Sequence, residues 1–582
     1  MIFTPIVAGL AGIFLIATSA RADDPRTNSW FTTYAGQYAR IYTNDLSRTN
    51  GISLTAWTNG TTIQTLPAYC GVQEIYSSSN WVYIRSTGLG SFVMGPWYLN
   101  AARTQAFPNW PVNQKTLYRI PRNPTVPTTK TATGGGAIGY FVDGAAMFNS
   151  WDAYTWSTVS NTDAQNITGY WIRYAYVNEG VSFDPNNAHQ AGGQYHYHAN
   201  PPALRYQLGD HVDFNSATKI YTESTNTPTK HSPILAWTAD GFPVYGPYGY
   251  SVSNDASSGI RRMISGYVIR NGNYGTSNLT ANGRTTIPAW SARLFNVSSN
   301  QTGPNVSTSY PLGRYMEDND YLGDHGIAPG TNTYDLDEYN GRWCVTPEFP
   351  NGTYAYFVSI SSNGTSTFPY NIGRGFYGSQ TGGTVTAITE TVATNFLGST
   401  NLTSTLNAPG VKNGTVTLSW SAIEGGSYQV EATTNLASSS GWTVLGTGVS
   451  PNQISGGYTN ITSLDKRFYR VGRNSVATYD NPGTTYFATN GVAPGGAAYR
   501  GQTVYLTITL PSSPPNPPSG APVTSVTVGG ITNISATCTA SGTVVALFTI
   551  PATTSSTNAQ NVVVQFNPMP SYTLTNGFTI NP

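Results

Sequence analysis

Charged residues are scarce in this chain of 582 residues, of which only 9% are Asp, Glu, Lys or Arg. Soluble domains usually carry about 25% charged residues. The 28 basic and 27 acidic residues nearly cancel, leaving a formal charge of +1. The chain therefore lacks the basic excess that neutralises nucleic-acid phosphates or binds an anionic membrane surface. Nucleic acid is not an expected partner.

Cysteine is also scarce, with only Cys70, Cys344 and Cys538 in the chain. Their spacing matches no zinc finger. Export would permit a disulfide, and Cys70 and Cys344 are the only pair that we place in one domain, which makes them the candidate bridge. Three buried thiols are the alternative, and the sequence leaves both open.

Apolar, aromatic and turn-forming residues are plentiful, with 39% hydrophobic residues, 61 Gly, 37 Pro and 39 Tyr. A disordered chain would be poor in aromatic residues and rich in charge, so this composition predicts a folded protein. Abundant Tyr, Thr, Asn and Gly favour strands that are joined by tight turns. We therefore predict a mainly β, multi-domain protein.

The N-terminus predicts export. The apolar stretch Ile6–Ala17 is short for a membrane span of about 20 residues. It precedes Ala20-Arg21-Ala22, which has the small–x–small pattern of a signal-peptidase site. We predict a signal peptide at residues 1–22 and a mature chain that is secreted or held at the cell surface. An uncleaved anchor is the alternative, and no later segment is long and apolar enough to span a membrane.

Turn signals divide the remaining chain into three predicted blocks. The first, residues 23–380, contains all six histidines, and its best helix candidate is Gly144–Trp151. Alternating runs in residues 381–473 and 474–582 have the spacing of β-sandwiches. These two blocks resemble fibronectin type III-like and Ig-like (IPT/TIG-type) modules, and we expect them to serve attachment or spacing.

The most distinctive chemistry lies in Gly193–Asn200, whose sequence is GQYHYHAN. In a strand, alternate side chains share a face, so His196 and His198 would point one way and Tyr195 and Tyr197 the other. Two neutral imidazoles suit copper or zinc. A buried hydrogen-bond network without metal is the alternative. The candidates for further ligands are His189, His231, His325 and Asp240.

Several motifs occur in a recognisable order. Over about Leu66–Gly378, the chain resembles the YHYH-domain family of secreted proteins, which is named after residues 195–198. The family has no well-established activity, and the resemblance implies metal binding at the His-rich motif. Some relatives carry a second Tyr-His-Tyr where this chain has Ala355, which would remove one ligand. The motifs are Gly192–Leu204, His231–Tyr250, Asp335–Trp343 and Thr346–Gly373.

Two acidic motifs offer other sites. Asp335 and Asp337 would share a strand face and, with Glu338 nearby, could bind calcium through oxygen ligands. The spacing is not that of an EF-hand, so a solvated acidic turn is the alternative. Asp240, in an Asp-Gly turn, would either accept backbone hydrogen bonds or orient a histidine.

The common catalytic motifs HExxH, GxSxG and GxxxxGK[ST] are absent, and no nucleotide cofactor is expected. The favoured hypothesis is an exported protein that binds copper or zinc. The alternatives are a glycan- or surface-binding protein without metal, a metal-dependent enzyme, and a structural protein that self-associates through β edges. The sequence leaves open whether the chain is an enzyme.

Overall fold

Strands and tight turns make up most of the chain. Strands hold 41% of the residues and helices 9%, which confirms the prediction of a mainly β fold. The signal peptide predicted at residues 1–22 lies outside the described residues. The computed structural model describes residues 24–581 apart from 331–332, 438–439, 452–453, 462–466, 482–484, 489–497, 500–502, 512–514, 552, 555–557 and 568–569.

An eight-stranded sheet forms the centre of the first block. Its strands, numbered in chain order, are β8 (Ala137–Phe141), β9 (Ala146–Phe148), β13 (Ala188–Ala191), β14 (Gln194–Tyr197), β17 (Ile234–Thr238), β18 (Pro243–Tyr245), β23 (Gly341–Cys344) and β24 (Thr353–Phe357). Across the sheet the order is β13-β14-β9-β8-β17-β18-β24-β23. Every residue of β17 and β24 is buried, so other elements cover both faces there.

A five-stranded sheet shares the core of the first block. Its strands are β4 (Val72–Ser77), β5 (Trp81–Ser86), β7 (Thr116–Pro121), β25 (Gly383–Val385) and β26 (Ala393–Leu397). Since β25 pairs with β7 and β26 with β4, the first block extends to Leu397. The boundary that we placed at residue 380 therefore falls before strands that belong to this sheet.

Smaller sheets and short helices complete the first block. The three-stranded sheet contains β10 (Trp151–Ser157), β11 (Thr162–Gln165) and β12 (Ile172–Tyr174). The two-stranded pairs are β1 (Arg40–Ile41) with β6 (Val93–Met94), β2 (Trp57–Asn59) with β3 (Thr62–Gln64), β15 (Val212–Asn215) with β16 (Ile220–Glu223), β19 (Tyr248–Val252) with β20 (Asp255–Arg262), and β21 (Tyr267–Ile269) with β22 (Asn319–Tyr321).

The helices are all short. The α-helices of the described residues are α1 (Pro25–Asn28), α2 (Asp45–Thr49), α3 (Ala175–Asn178), α4 (Pro202–Gln207), α5 (Leu279–Asn282) and α6 (Ala289–Phe295). The 3-10 turns are Gly180–Ser182, Asn273–Gly275, Met316–Asp318, Leu322–His325 and Ser399–Asn401. The helix predicted at Gly144–Trp151 is wrong, because strand β9 occupies its centre. Within the described residues, no helix is long and apolar enough to cross a membrane.

Each C-terminal block consists of two sheets around its own apolar core. The sheets of the second block hold β27 (Gly410–Lys412), β28 (Thr415–Ser421) and β31 (Ser455–Ile461), and β29 (Gly426–Thr433), β30 (Thr443–Val449) and β32 (Phe468–Val476). Those of the third hold β33 (Thr485–Ala488), β35 (Thr503–Thr509), β38 (Ser535–Ala540) and β39 (Thr543–Thr549), and β34 (Ala498–Tyr499), β36 (Val523–Val528), β37 (Ile531–Thr532), β40 (Asn558–Phe566) and β41 (Tyr572–Asn581). Their likeness to fibronectin and Ig modules stays a prediction.

A partly buried ion pair joins the second block to the first. Glu424 Oε1 lies 2.5 Å from Arg40 Nη2, and Glu424 Oε2 accepts a hydrogen bond of 2.9 Å from the backbone N–H of Tyr38. The hydroxyl of Tyr69 donates to the carbonyl oxygen of Glu424 at 2.9 Å. Removing one member of such a pair leaves the other charge without compensation.

The candidate disulfide is not formed, because Cys70 and Cys344 are both free, buried thiols. Cys70 immediately precedes the five-stranded sheet, whereas Cys344 ends strand β23 at the edge of the eight-stranded sheet. The thiol of Cys70 donates instead to the carbonyl oxygen of Tyr34 at 3.0 Å. Burial raises the pKa of Cys70 to about 12, so this thiol stays protonated at neutral pH. Cys538 is also free and buried.

We expect Glu424→Ala to loosen the contact between the first two blocks. Amide hydrogen exchange in a peptide covering residues 34–42, measured by mass spectrometry, should accelerate about tenfold or more, because Tyr38 loses its acceptor. The matched control is Glu431→Ala, which removes the partner of the exposed Arg470 and should leave that peptide unchanged. Equal exchange in both variants would contradict this role of Glu424.

Candidate metal centre

A tight hairpin between β13 and β14 brings the first two histidines of the site together. Gly192 and Gly193 form its turn and both have positive φ, at 56° and 81°. A two-residue hairpin turn of this kind requires positive φ at both positions, which favours glycine. The resulting register pairs His189 directly with His196. Side chains of directly paired residues lie on the same face of a sheet.

His198, just beyond β14, joins these two on the same face. Its Nε2 atom lies 3.0 Å from His196 Nε2, and the ligand nitrogens of all three histidines lie within 4.8 Å of one another. The three side chains are buried. The prediction that His196 and His198 share a face is therefore confirmed, and His189 is the member of the candidate set that completes the group.

The outer ring nitrogens are all engaged, which fixes the tautomers. Nδ1 of His196 lies 2.9 Å from the carbonyl oxygen of Gln194, and Nδ1 of His198 lies 2.9 Å from that of Asn149. Because a carbonyl oxygen can only accept, both Nδ1 atoms must carry the proton and donate. Both Nε2 atoms are then bare acceptors in the neutral rings.

Ser182 fixes the third ring in the same way. Its hydroxyl donates to the carbonyl oxygen of Glu179 at 2.7 Å, and its oxygen lies 2.8 Å from Nδ1 of His189. Since the hydroxyl hydrogen is already used, Nδ1 of His189 must be the donor in this contact. The lone pair of the neutral ring is then on Nε2 of His189. Hydrogen bonds of this type orient the histidine ligands of metal sites.

Burial keeps the three imidazoles neutral. It lowers the pKa of His189 and His196 well below the usual value, and that of His198 to about 4. Aromatic rings enclose the group: Phe148 stacks on His196 with ring centres 3.8 Å apart, and Phe183 stacks on His198 at 5.4 Å. The rings therefore have little freedom to turn, and a neutral imidazole is the form that binds a metal.

Glu179 supplies an oxygen at the open side of the group. Its Oε2 atom lies 3.6 Å from His189 Nε2 and 3.8 Å from His198 Nε2, and its side chain is 31% exposed. Burial, and then the nearby Asp152, raise the pKa of Glu179 to about 8. We missed this residue in the sequence, because it lies ten positions before His189 in a turn between α3 and a 3-10 turn, where no pattern signals it.

The two tyrosines of the motif anchor the opposite face of β14. The hydroxyl of Tyr195 donates to Asp184 Oδ2 at 2.9 Å, and that of Tyr197 donates to Asp143 Oδ2 at 2.8 Å. All four side chains are buried, and burial raises the pKa of each aspartate to about 6. The histidines therefore form the polar group on one face of the strand, and the tyrosines fix the strand from its other face.

The other predicted ligands lie outside the group. His231 is surrounded by the rings of Tyr245, Tyr250 and Phe357, and its Nδ1 lies 2.7 Å from the carbonyl oxygen of Ser232. His325 pairs with an acidic neighbour instead, its Nε2 lying 3.2 Å from Asp320 Oδ2.

Asp240 is a buried turn residue rather than a ligand. Its carboxylate accepts hydrogen bonds from the hydroxyl of Tyr356 at 2.6 Å and from the backbone N–H of Gly378 at 2.9 Å. The hydroxyl of Thr238 also donates to it. These donors correspond to the alternative in which Asp240 stabilises its turn.

The carboxylates of Asp335, Asp337 and Glu338 do not converge on one site. Asp335 pairs with Arg261, Glu338 pairs with Arg293 at 2.6 Å, and Asp337 accepts from the hydroxyl of Tyr354 at 2.8 Å. Asp335 and Asp337 lie outside the named strands, on either side of Leu336, which forms an isolated bridge with Ser265, so the strand that we predicted here is not formed. Each carboxylate has its own partner, so the segment has no calcium-binding arrangement.

The family comparison covers the region that carries this group. Residues 117–369 match the family model described as YHYH protein. The YHYH domain thus contains the hairpin, Glu179 and both tyrosine anchors, and it confirms the central part of the resemblance seen over Leu66–Gly378. The match spans somewhat less than half of the chain and does not reach the C-terminal blocks. No curated protein matches the chain.

We expect Tyr197→Phe to destabilise the YHYH domain by about 1–3 kcal/mol, because it leaves the buried carboxyl group of Asp143 without its hydroxyl donor. The change should lower the midpoint of urea unfolding. Tyr274→Phe is the matched control, since Tyr274 is 63% exposed and its replacement should alter stability by about 0.5 kcal/mol or less. Equal midpoints for the two variants would contradict the anchoring role.

Proposed function

We propose that the YHYH domain binds one transition-metal ion through His189, His196 and His198, with Glu179 as the oxygen ligand. The observation that carries this proposal is the contact of 3.0 Å between the Nε2 atoms of His196 and His198. In neutral rings both atoms are acceptors, so this contact is repulsive unless a cation lies between them.

The separation itself suits a shared ion. Imidazole nitrogens bind zinc at about 2.0–2.1 Å, so two of them at bond angles near 90–110° lie about 2.9–3.4 Å apart. A proton shared by the two nitrogens would also relieve the repulsion. Burial opposes that solution, because it disfavours the imidazolium form of both rings. A metal ion relieves the repulsion without protonating either ring, because it accepts both lone pairs.

The donor set favours copper or zinc, as the sequence suggested, because imidazole suits both ions. The three rings and Glu179 form an incomplete shell that opens toward solvent beside the carboxylate. When bound, a metal with an open position can polarise a ligand or activate water. The chain's own residues orient the rings, keep them neutral and bury them. This arrangement is compatible with a binding role or an enzyme.

Export and the C-terminal blocks complete the proposal. Residues 1–22 have the pattern of a signal peptide, which supports a secreted or cell-surface protein. The ion pair between Glu424 and Arg40 holds the second block against the first, which supports a role for the sandwiches in presenting the YHYH domain. A cell-surface glycan or another copy of the chain is the kind of partner that we expect these blocks to contact.

The test measures metal content by elemental analysis after loading with zinc or copper and removal of excess ion. We expect a stoichiometric amount of metal in the full chain and none in the double variant His196→Ala/His198→Ala. His211→Ala is the matched control, because His211 lies in the same block but contacts Tyr248, and it should bind as much metal as the unaltered chain.

Glu179→Gln refines the same experiment. The amide keeps the shape of the side chain but cannot lose a proton to become an anionic ligand, so metal should still bind but more weakly. Unfolding curves of every variant establish that each one is folded before loading. A chain that takes up no zinc or copper, or a double variant that binds as much as the control, would overturn the proposal.

A further inference from the structure

A separate cavity lies at the end of helix α6. It has a volume of about 430 Å³ and is lined by residues 128–130, the last turn of α6, the turn at Glu338 and Tyr339, and residues 374–375. None of the three clustered histidines lines it. Small-molecule sites commonly have volumes of about 300–1,000 Å³, so this cavity is large enough for a single sugar or aromatic ring.

The cavity has more positive than negative charge. Its charged lining residues are Lys130, Arg293, Arg374 and Glu338. Arg293 lies 2.6 Å from Glu338 and 3.1 Å from Asp324, so this one cation is already shared by two carboxylates. Lys130 and Arg374 form no direct ion pair within the described residues. Carboxylates act on them only at longer range, Glu317 on Arg374 and Asp337, Asp240 and Glu338 on Lys130.

Arg374 is the stronger indication, because its side chain is buried and no described carboxylate is in direct contact with it. It is 8% exposed, and its Nη1 atom donates to the hydroxyl oxygen of Thr133 at 2.7 Å and also to the carbonyl oxygen of that residue. Its Nε atom is buried and has no hydrogen-bond partner. Burial lowers the pKa of Arg374 to about 10, so the group is still charged at neutral pH. A buried cation of this kind is costly unless an anion meets it.

Lys130 offers the second cation of the lining. Its Nζ atom donates to the carbonyl oxygen of Tyr377 at 2.5 Å and lies 4.4 Å above the ring of the same residue. The ring of Tyr339 is also within reach, at 5.3 Å. An ammonium group has three donors, and these contacts leave donor capacity for a ligand.

Aromatic and apolar side chains form the rest of the lining. Tyr267, Trp290, Leu294 and Tyr339 surround the cavity. Such surfaces suit the flat face of a ring, while the cations suit a carboxylate, which arginine and lysine bind through charge-assisted hydrogen bonds. A ligand that fits both features is a ring that carries an acid group.

We propose that this cavity binds a small organic acid in which a carboxylate is attached to a ring, with Arg374 and Lys130 holding the carboxylate and the aromatic wall holding the ring. Sugar acids and aromatic acids share this chemistry. The site does not depend on metal binding by the histidines.

The test is isothermal titration calorimetry on the metal-free full chain, with glucuronate and benzoate as the probes. Glucose and benzyl alcohol are their neutral counterparts. We expect at least one acid to bind about tenfold or more tightly than its neutral counterpart, since only the acid carries a charge that Arg374 and Lys130 attract. Binding of glucuronate alone assigns the site to sugar acids, and binding of benzoate alone assigns it to aromatic acids.

Lys130→Gln should weaken binding of the preferred acid about tenfold or more, and Lys412→Gln, an exposed lysine of the second block, is the matched control. The variant His196→Ala/His198→Ala should bind the acid like the unaltered chain, which separates this site from the metal centre. The proposal is overturned if neither acid binds, if the neutral compounds bind as tightly, or if Lys130→Gln binds like the control.

Discussion

The contact between two imidazole nitrogens is the constraint around which the YHYH domain is organised. His196 Nε2 and His198 Nε2 lie 3.0 Å apart, and the carbonyl oxygens behind the two rings force both nitrogens to be acceptors. Two lone pairs at this distance repel each other. The surrounding structure maintains the contact, because Phe148 and Phe183 stack on the rings and the strand is fixed from its other face.

That fixing explains why the histidines alternate with tyrosines. A strand exposes successive side chains to opposite faces. The histidines on one face therefore keep fixed positions only if contacts on the opposite face hold the strand in place. Tyr195 and Tyr197 meet this need through buried aspartates. The neighbouring strand β9 pairs with β14 at His196 and Tyr197, which ties the motif into the eight-stranded sheet. The site therefore lies on a rigid support, as accurate metal ligation requires.

The sequence predicted part of this arrangement. Period-two alternation placed His196 and His198 on one face, and the turn Gly192-Gly193 contained more information than we used. A two-residue hairpin at that turn pairs Ala191 with Gln194 and hence His189 with His196, which is the observed register. Counting residues outward from the turn therefore selects His189 over the other histidines.

Other features could not be predicted from local patterns. Glu179 reaches the histidines through the packing of a short helix and a 3-10 turn, and nothing in its neighbours signals this. Asp335 and Asp337 misled us because period-two alternation applies only to strands, and these residues flank a single isolated bridge at Leu336 instead of lying in a strand. The predicted disulfide was wrong because Cys70 lies beside the five-stranded sheet and Cys344 lies in the eight-stranded sheet. The separation of the two sheets depends on long-range packing, which local patterns do not reveal.

X-ray absorption spectroscopy of the metal-loaded chain tests the central claim most directly, because it reports the atoms bound to the ion. Our account predicts about three imidazole nitrogens at about 2.0–2.1 Å together with oxygen. It also predicts that the imidazole signal is lost in His196→Ala/His198→Ala. A spectrum with oxygen ligands alone, or with sulfur from the buried cysteines, would contradict the account.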